Sequence, residues 1–350
     1  MRAVRSPLEP GAASPSDSAD QNERHSAASL RLPGSGTPTT SLGYGCSQLM
    51  GRLTRRESLA LLEAAFDCGI RHFDTAPSYA LGQSERVLGE AFRTRRDRIT
   101  ITTKYGLSLP RGQSLLGIAR RILLPAIRHV PAIKARLARA AGGLAGKARF
   151  SADELRTSID ASLAALQTDY IDTLLLHEAV VSDLTDELFT ALERSAEAGK
   201  IRSFGIGSEA VAIPPIYRDA RRFCPVLQFE WSVLSREKPA YPGSFLITHR
   251  SLSGNVARLR AWLDAHPQTA AAWSTELDLD VASMPVLSRL MLTAARQVNP
   301  AGITLFSSRN AENIKANARA MEGTAEAAAA AAFAGLVRRD MTMSGQSSVR

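Results

Sequence analysis

The sequence predicts a (β/α)8 TIM barrel with a basic helical insertion after strand 3 and a disordered N-terminal tail. The first observation is that eight apolar, β-type segments alternate with amphipathic helical segments, the pattern of a parallel sheet. The second is the first strand–helix turn, LGYGCSQ at 42–48, which lacks the third glycine of a dinucleotide-binding Rossmann turn. The third is that polar residues suited to catalysis follow strand ends, where TIM barrels carry their active sites.

The eight predicted strands share apolar or β-branched residues and short turn signals on either side. They cover residues 42–46, 70–73, 99–104, 170–177, 201–208, 225–231, 244–249 and 302–306. Between them, Thr54 with Glu57 and Ser151 with Glu154 have the spacing of helix capping boxes. Further helices are predicted at about 185–198, 256–265 and 285–298, whereas 267–283 is weakly patterned.

Three segments lie outside this alternation. Residues 1–38 are rich in Ser, Ala, Pro and Gly without apolar periodicity, which predicts a disordered tail. The barrel then spans 39–325, and 326–350 form a C-terminal helix or tail. The insertion at 107–150 carries nine Lys/Arg and no Asp or Glu on a helical apolar pattern. We expect it to be a flap over the barrel mouth; contact with a membrane or an acidic ligand is the alternative.

Composition narrows the class of protein. The 350 residues carry 43 Lys+Arg against 34 Asp+Glu, a formal charge of +9. Because this excess lies in the basic insertion and is not spread over the chain, we do not expect a nucleic-acid partner. Three cysteines without CxxC spacing predict neither a disulfide framework nor a metal site. There is no apolar run long enough to cross a membrane and no secretory signal pattern, which predicts a cytoplasmic protein without membrane insertion.

Four side chains at or just past the ends of strands two, three and four suggest one chemistry: Asp74, Tyr79, Lys104 and His177. Neighbouring strands lie about 5 Å apart, so these groups can converge. We expect the Lys104 ammonium to lower the pKa of the Tyr79 phenol, with Asp74 orienting the lysine. His177 can hydrogen-bond the reacting oxygen, and the phenol then suits protonation of a carbonyl oxygen while hydride reaches its carbon.

The segments around these residues resemble the aldo-keto reductase superfamily over roughly residues 42–320. They are GIRHFDTAPSY at 69–79 with SERVLG at 84–89, IDTLLLH at 171–177, and GKIRSFGIG at 199–207. The resemblance implies Tyr79 as general acid/base, Lys104 and Asp74 as its tuning pair, and His177 as the group that orients the substrate. It also implies NADP (NADPH) as the cofactor, without a Rossmann domain or a metal.

The resemblance further implies cofactor contacts, with some departures from the family pattern. Ser208 and Gln228 stand where the family binds the nicotinamide carboxamide, but Glu209 replaces the usual Asn, and His249 replaces the stacking Tyr on strand seven. The segment FSSRNAENIKAN at 306–317 matches the adenosine-phosphate segment, and a helix N-terminus there suits an anion. The expected cofactor contacts in this segment are made by Ser307, Ser308, Arg309 and Asn317. Of these, Arg309 is expected to bind the 2′-phosphate and Asn317 to face the adenine. Asn313 replaces a second basic residue, which leaves NAD open.

The predicted function is NAD(P)H-dependent reduction of an aldehyde, ketone or sugar carbonyl. The first alternative is an NAD(P)+-dependent aldose dehydrogenase. The second is a nucleotide-binding barrel with a regulatory or interaction role, which the four-residue constellation disfavours because binding alone does not need Asp74 or Tyr79.

Overall fold

A computed structural model describes residues 30–51, 53–107, 150–235, 240–319 and 323–344. Eight strands close into a parallel barrel in the order β10-β3-β4-β5-β6-β7-β8-β9. They are β3 (Leu42–Gly45), β4 (His72–Asp74), β5 (Thr100–Tyr105), β6 (Ile171–His177), β7 (Ile201–Gly207), β8 (Val226–Glu230), β9 (Phe245–His249) and β10 (Ile303–Phe306). The predicted (β/α)8 class and all eight predicted strands are therefore confirmed.

Helices surround the barrel and bury their apolar faces against it or against one another. They are α1 (Arg55–Asp67), α2 (Gln83–Phe92), α3 (Ala152–Leu166), α4 (Asp186–Glu197), α5 (Ile213–Asp219), α6 (Asn255–Ala265), α7 (Pro267–Leu277), α8 (Met284–Val298), α9 (Ala311–Arg319) and α10 (Thr324–Ser344). The predicted capping box of α1 is present, since Thr54 and Glu57 bond each other's backbone N–H. The weakly patterned segment after residue 266 contains α7, whose one fully buried side chain is Trp273.

A short hairpin closes the N-terminal end of the barrel. Its strands are β1 (Leu30–Arg31) and β2 (Pro38–Thr39), which pair antiparallel. Leu32, 2% exposed, packs into the barrel interior, and Ser35 donates a 2.9 Å hydrogen bond to the buried Asp172. The predicted disordered tail is wrong for residues 30–38. One leucine and a hydrogen-bonded turn cover the end of the barrel there, and the segment is too short to show an apolar periodicity in the sequence. The rest of that tail, 1–29, lies outside the described residues.

Most of the predicted basic insertion also lies outside the described residues, at 108–149. At its two ends, Tyr105 and Phe150 stack edge to face with ring centroids 5.5 Å apart. Among the described residues, no helix is both long and apolar enough to cross a membrane. The structure also contains α10, which packs against α7 and α8 through an apolar cluster that includes Phe333 and Leu336. Its first residues overlap the boundary predicted at 325.

Candidate active site

Strand register brings the predicted catalytic residues to one end of the barrel. Asp74, at the end of β4, pairs with Thr102 of β5. Because side chains alternate along a strand, Lys104, two residues beyond Thr102, points into the barrel on the same side as Asp74. On the far side, Thr102 pairs with Thr173, and His177 lies four residues beyond Thr173 on β6. Parallel pairing with a period of two therefore aims the three side chains at the same space.

A buried ion pair lies at the bottom of this space. Lys104 is 3% exposed and Asp74 is 4% exposed. The Lys104 Nζ donates to both Asp74 carboxylate oxygens, at 2.7 and 2.8 Å, and to the backbone oxygen of Thr75 at 2.9 Å. Gln228 Nε2 donates to the same carboxylate at 2.6 Å. Burial opposes the lysine's charge, but Asp74 and then Tyr79 outweigh it, so the pKa of Lys104 is raised and its ammonium is retained.

Tyr79 lies directly above the lysine, and its ring centroid is 5.3 Å from Lys104 Nζ. The next residues, Ala80 and Leu81, have left-handed backbone with φ of 48° and 58°. Such a conformation is costly for residues other than glycine and is typical of functional sites. This turn ends at Gly82, where α2 begins. It therefore holds the phenol over the ion pair instead of leaving it on a free loop.

The electrostatics of Tyr79 differ from the sequence expectation. Burial raises the pKa of the phenol above its ordinary value, while the charge of Lys104 and its hydrogen bond lower it; burial is the larger effect. The expected net lowering of this pKa is therefore wrong. The reason is that the sequence shows the neighbouring cation but not how completely the phenol is removed from water.

Two neutral imidazoles line the same cavity as the phenol. Burial, with Lys104 next in effect, lowers the pKa of His177 to about 3. The pKa of His249 is also lowered to about 3, by burial and then by Lys104 and Arg250. Both rings are therefore uncharged at neutral pH and can donate or accept a single hydrogen bond at each nitrogen. His249 ends β9, and its register partner is Glu230 at the end of β8.

These groups line one cavity of about 490 Å³ at the C-terminal ends of the strands. It brings together eight of the predicted residues: Asp74, Tyr79, Lys104, His177, Ser208, Gln228, His249 and Ser307. Ser208 is tied down, since its Oγ donates to the backbone oxygen of Ala179 at 3.1 Å. Ser307 donates to the backbone oxygen of Gly45 at 2.7 Å, across the β10–β3 pair.

The other three predicted residues lie outside the cavity wall, two on the β10–α9 connection and one on α9. Ser308 accepts a 3.1 Å bond from the backbone N–H of Asn310, which precedes the first turn of α9. Arg309 is exposed and forms no ion pair with the described residues. Asn317, on α9, is 8% exposed. A helix N-terminus, serine hydroxyls and a free guanidinium form a donor set that suits phosphate.

Sequence reasoning missed Ser251, which strengthens the fit to a dinucleotide. It is 1% exposed and lines the cavity, and its Oγ has no hydrogen-bond partner among the described residues. A buried hydroxyl without a partner is costly unless a ligand satisfies it. Arg250 before it has a φ of 59° and also lines the cavity. The left-handed residue redirects the chain after β9, which no sequence periodicity signals.

Sequence reasoning also missed two carboxylates, those of Glu178 and Glu230. Both line the cavity, together with Glu209. Glu178 has a left-handed backbone with φ of 57°, and its N–H donates to the Gly207 oxygen at 2.8 Å. The described residues contain no group of three or more His, Cys, Asp or Glu side chains placed to hold a metal ion.

Comparison with known proteins identifies the family. The sequence profile of the aldo/keto reductase family matches residues 41–239, which is more than half of the chain. The chain belongs to the aldo/keto reductase family. Its predicted resemblance is therefore confirmed, and the barrel without a Rossmann turn is the architecture expected for this family.

Curated aldo/keto reductase relatives match over part of their length. A D-threo-aldose 1-dehydrogenase from a Pseudomonas species is 36% identical over 193 residues, 52% of this chain and 52% of the relative. A pyridoxal 4-dehydrogenase from Microbacterium luteolum is 31% identical over 219 residues, 57% of this chain and 61% of the relative. The chain thus spans about half to three fifths of the length of these two relatives.

Solved structures agree on the fold. An aldo-keto reductase from Bacillus halodurans has a TM-score of 0.60 at 21% identity, covering 87% of this chain and 96% of that one. An aldo/keto reductase from Klebsiella pneumoniae, solved in complex with NADP and acetate, has a TM-score of 0.60 at 22% identity, covering 87% and 94%. At this identity the likeness concerns the barrel and not the substrate.

Proposed function

We propose that this family member is an NADP(H)-dependent oxidoreductase acting on the carbonyl of an aldehyde, ketone or sugar, with Tyr79 as general acid/base. The observation that carries the proposal is the buried Lys104–Asp74 ion pair beneath the Tyr79 ring. An ion pair buried at the floor of a cavity is costly to build, and the ring next to the ammonium is a phenol that can exchange a proton. Solved relatives with NADP or NADPH bound support the choice of cofactor.

The cofactor-binding residues divide into two groups. Ser307, Ser308, Arg309 and the N-terminus of α9 would hold the phosphates, with Ser251 as the buried donor that lacks a partner. Ser208, Gln228 and His249 would hold the nicotinamide end, with Asn317 near the adenine. When bound, the nicotinamide supplies or accepts hydride at the substrate carbon. NAD remains an alternative cofactor, because it lacks only the phosphate that Arg309 would bind.

In the reductive direction, the phenol of Tyr79 donates its proton to the substrate oxygen as the carbon gains hydride. The Lys104 ammonium stabilises the phenolate that remains, since it is held 5.3 Å from the ring centroid. Asp74 fixes the ammonium by two hydrogen bonds and neutralises its charge. Neutral His177 donates a hydrogen bond to the substrate oxygen and thereby sets its orientation, without competing as a stronger acid.

The reverse direction is the second candidate, oxidation of an aldose at its lactol carbon. The similarity to a D-threo-aldose 1-dehydrogenase supports it. The same four side chains serve both directions, because the phenolate of Tyr79 can accept the proton that the phenol would donate. Rates with NADPH and a carbonyl panel, and with NADP+ and an aldose panel, separate the two directions.

The test of the proposal is Tyr79→Phe, which removes the exchangeable proton and keeps the ring. Loss of general acid catalysis predicts a fall in kcat of about 10²–10⁴-fold, with cofactor affinity changed less than about twofold. Tyr217→Phe is the matched control, because Tyr217 lies on α5 and donates only to the Pro242 oxygen. Retained turnover in Tyr79→Phe would overturn the proposed role. A wild-type protein that binds cofactor but converts no carbonyl or aldose would favour a binding or regulatory barrel.

A further inference from the structure

One wall of the active-site cavity carries a row of glutamates. They follow or end three consecutive strands of the barrel: Glu178 after β6, Glu209 two residues after β7, and Glu230 at the end of β8. Backbone bonds link these strand ends, since Glu178 N–H donates to Gly207 O at 2.8 Å and Ser208 N–H to Gln228 O at 3.1 Å. The row is therefore built into the barrel rim and does not depend on a long loop.

The charge of this wall contrasts with the rest of the chain. Four carboxylates and two cations line the cavity, a formal charge of −2, whereas the whole chain carries +9. Lys104 is neutralised by Asp74, and Arg250 approaches Glu230 at 3.9 Å. The carboxylates of Glu178 and Glu209 have no ion pair among the described residues, and the flanking imidazoles are neutral. The net charge facing the cavity therefore comes from these two glutamates.

The proposed chemistry places the nicotinamide ring near these carboxylates. The substrate oxygen must lie within hydrogen-bond reach of Tyr79 and His177, and hydride transfer requires the nicotinamide ring about 3–3.5 Å from the substrate carbon. The ring must then enter the same cavity, and the proposed function puts it beside Ser208. Glu209 is adjacent in sequence to Ser208, and Glu178 is adjacent to His177. The nicotinamide ring is neutral when reduced and carries one positive charge when oxidised, so nearby carboxylates distinguish the two forms.

We propose that Glu209 and Glu178 make this site bind the oxidised, cationic nicotinamide more tightly than the reduced form. A larger fraction of the protein then carries the oxidised cofactor, which is the form that oxidises an alcohol or lactol. The inference rests on the proposed function. In that direction, a lactol carbon loses its hydride, with two electrons, to the oxidised ring. The hydroxyl proton passes to the phenolate of Tyr79, and a lactone carbonyl remains. Hydrogen bonding alone would not create this preference, because both forms carry the same carboxamide.

The experiment is a direct binding titration of NADP+ and NADPH on the full chain, by calorimetry, for wild type, Glu209→Gln and Glu178→Gln. Glutamine keeps the size and one acceptor oxygen and removes only the charge. We expect Kd for NADP+ to rise about 3–10-fold in each variant, while Kd for NADPH changes less than twofold. This size corresponds to the loss of one attractive charge whose interaction with the ring is weakened by solvent screening. The effect should shrink at high salt, because exposed charges are screened.

Glu187→Gln is the matched control, an exposed glutamate in the first turn of α4 that does not line the cavity. It should leave both Kd values unchanged. An unchanged ratio of the two Kd values in both cavity variants would overturn the inference while leaving the proposed function standing. Equal weakening of both forms would assign the glutamates a hydrogen-bonding or structural role and would also overturn it. A wild-type protein that binds neither form would refute the proposed function itself.

Discussion

The ion pair between Lys104 and Asp74 predicts a strong thermodynamic coupling that can be measured without cofactor or substrate. The perturbations are Lys104→Met, Asp74→Asn and the double variant. Each single change leaves one buried charge without its partner, because both side chains are less than 5% exposed. Breaking a buried pair in this way typically costs about 3–5 kcal/mol, whereas replacing both charges by neutral groups is often close to neutral.

The contacts set the size of each effect. After Lys104→Met, the Asp74 carboxylate keeps the 2.6 Å bond from Gln228 Nε2, so we expect the lower end, about 3 kcal/mol. After Asp74→Asn, the ammonium keeps its bond to the Thr75 oxygen and its hydrogen bond with Tyr79 but loses the only opposite charge it contacts among the described residues, and we expect about 4 kcal/mol. The double variant should lose only about 1–2 kcal/mol, which gives a coupling energy well above 2 kcal/mol.

The assay is urea denaturation at pH 7, with a thermal melt as a second readout. A loss of 3 kcal/mol corresponds to a fall in Tm of about 5 °C for a barrel of this size, because the unfolding entropy is about 2.1 cal/mol/K per residue. Lys315→Met is the control, because the exposed Lys315–Glu312 pair on α9 should contribute less than about 1 kcal/mol. The reasoning fails if Lys104→Met costs less than 1 kcal/mol, or if the double variant is as unstable as the sum of the single variants.

Two further predictions concern a buried histidine and the phosphate end of the site. His72 is fully buried and its pKa is lowered to about 3 by burial and Lys104, so the unfolded chain alone binds its proton between pH 6.5 and 3. The stability that neutral His72 contributes is therefore present above pH 6.5 and lost as the pH falls below it. His72→Gln should reduce this loss of unfolding free energy by about 1.4 kcal/mol per pH unit. Denaturation at pH 7, 6 and 5 measures it, and the same dependence of stability on pH in wild type and variant would contradict the prediction. Arg309→Gln should raise Kd for NADPH about tenfold and change Kd for NADH less than twofold, since only NADPH has the 2′-phosphate; equal changes in fluorescence titrations would remove Arg309 from that role.

Much of the fold could be read from the sequence because its signals are local. Strands such as Ile171–His177 are rich in apolar residues, and some of the helices that follow have their own side-chain cap, as at Thr185. Alternation of this kind leaves few topologies, because parallel strands need crossovers and crossovers are right-handed. The hairpin at Leu30–Thr39 escaped prediction because its stabilisation comes from the distant barrel interior and not from its own sequence.

The candidate site could be predicted only in part. The positions of Asp74, Lys104 and His177 follow from strand ends and a period of two, so their convergence was foreseeable, while their roles and that of Tyr79 stay predictions. The direction of the Tyr79 pKa shift was not foreseeable, because burial is a sum over neighbours from several strands. Ser251 and Glu178 were missed for a related reason. Ser251 follows the left-handed residue Arg250, and Glu178 is itself left-handed, and a change of chain direction of this kind carries no periodic signal.

The sequence by itself thus determined which chemical groups this aldo/keto reductase has and the order in which its strands present them. Residue identity and a local period suffice for that. Only the tertiary structure decided how those groups are tuned: the ion pair under Tyr79, the neutrality of His177, and the glutamate wall along β6, β7 and β8. Burial, charge and partner distance depend on residues far apart in the chain, and closure of the barrel is what brings them together.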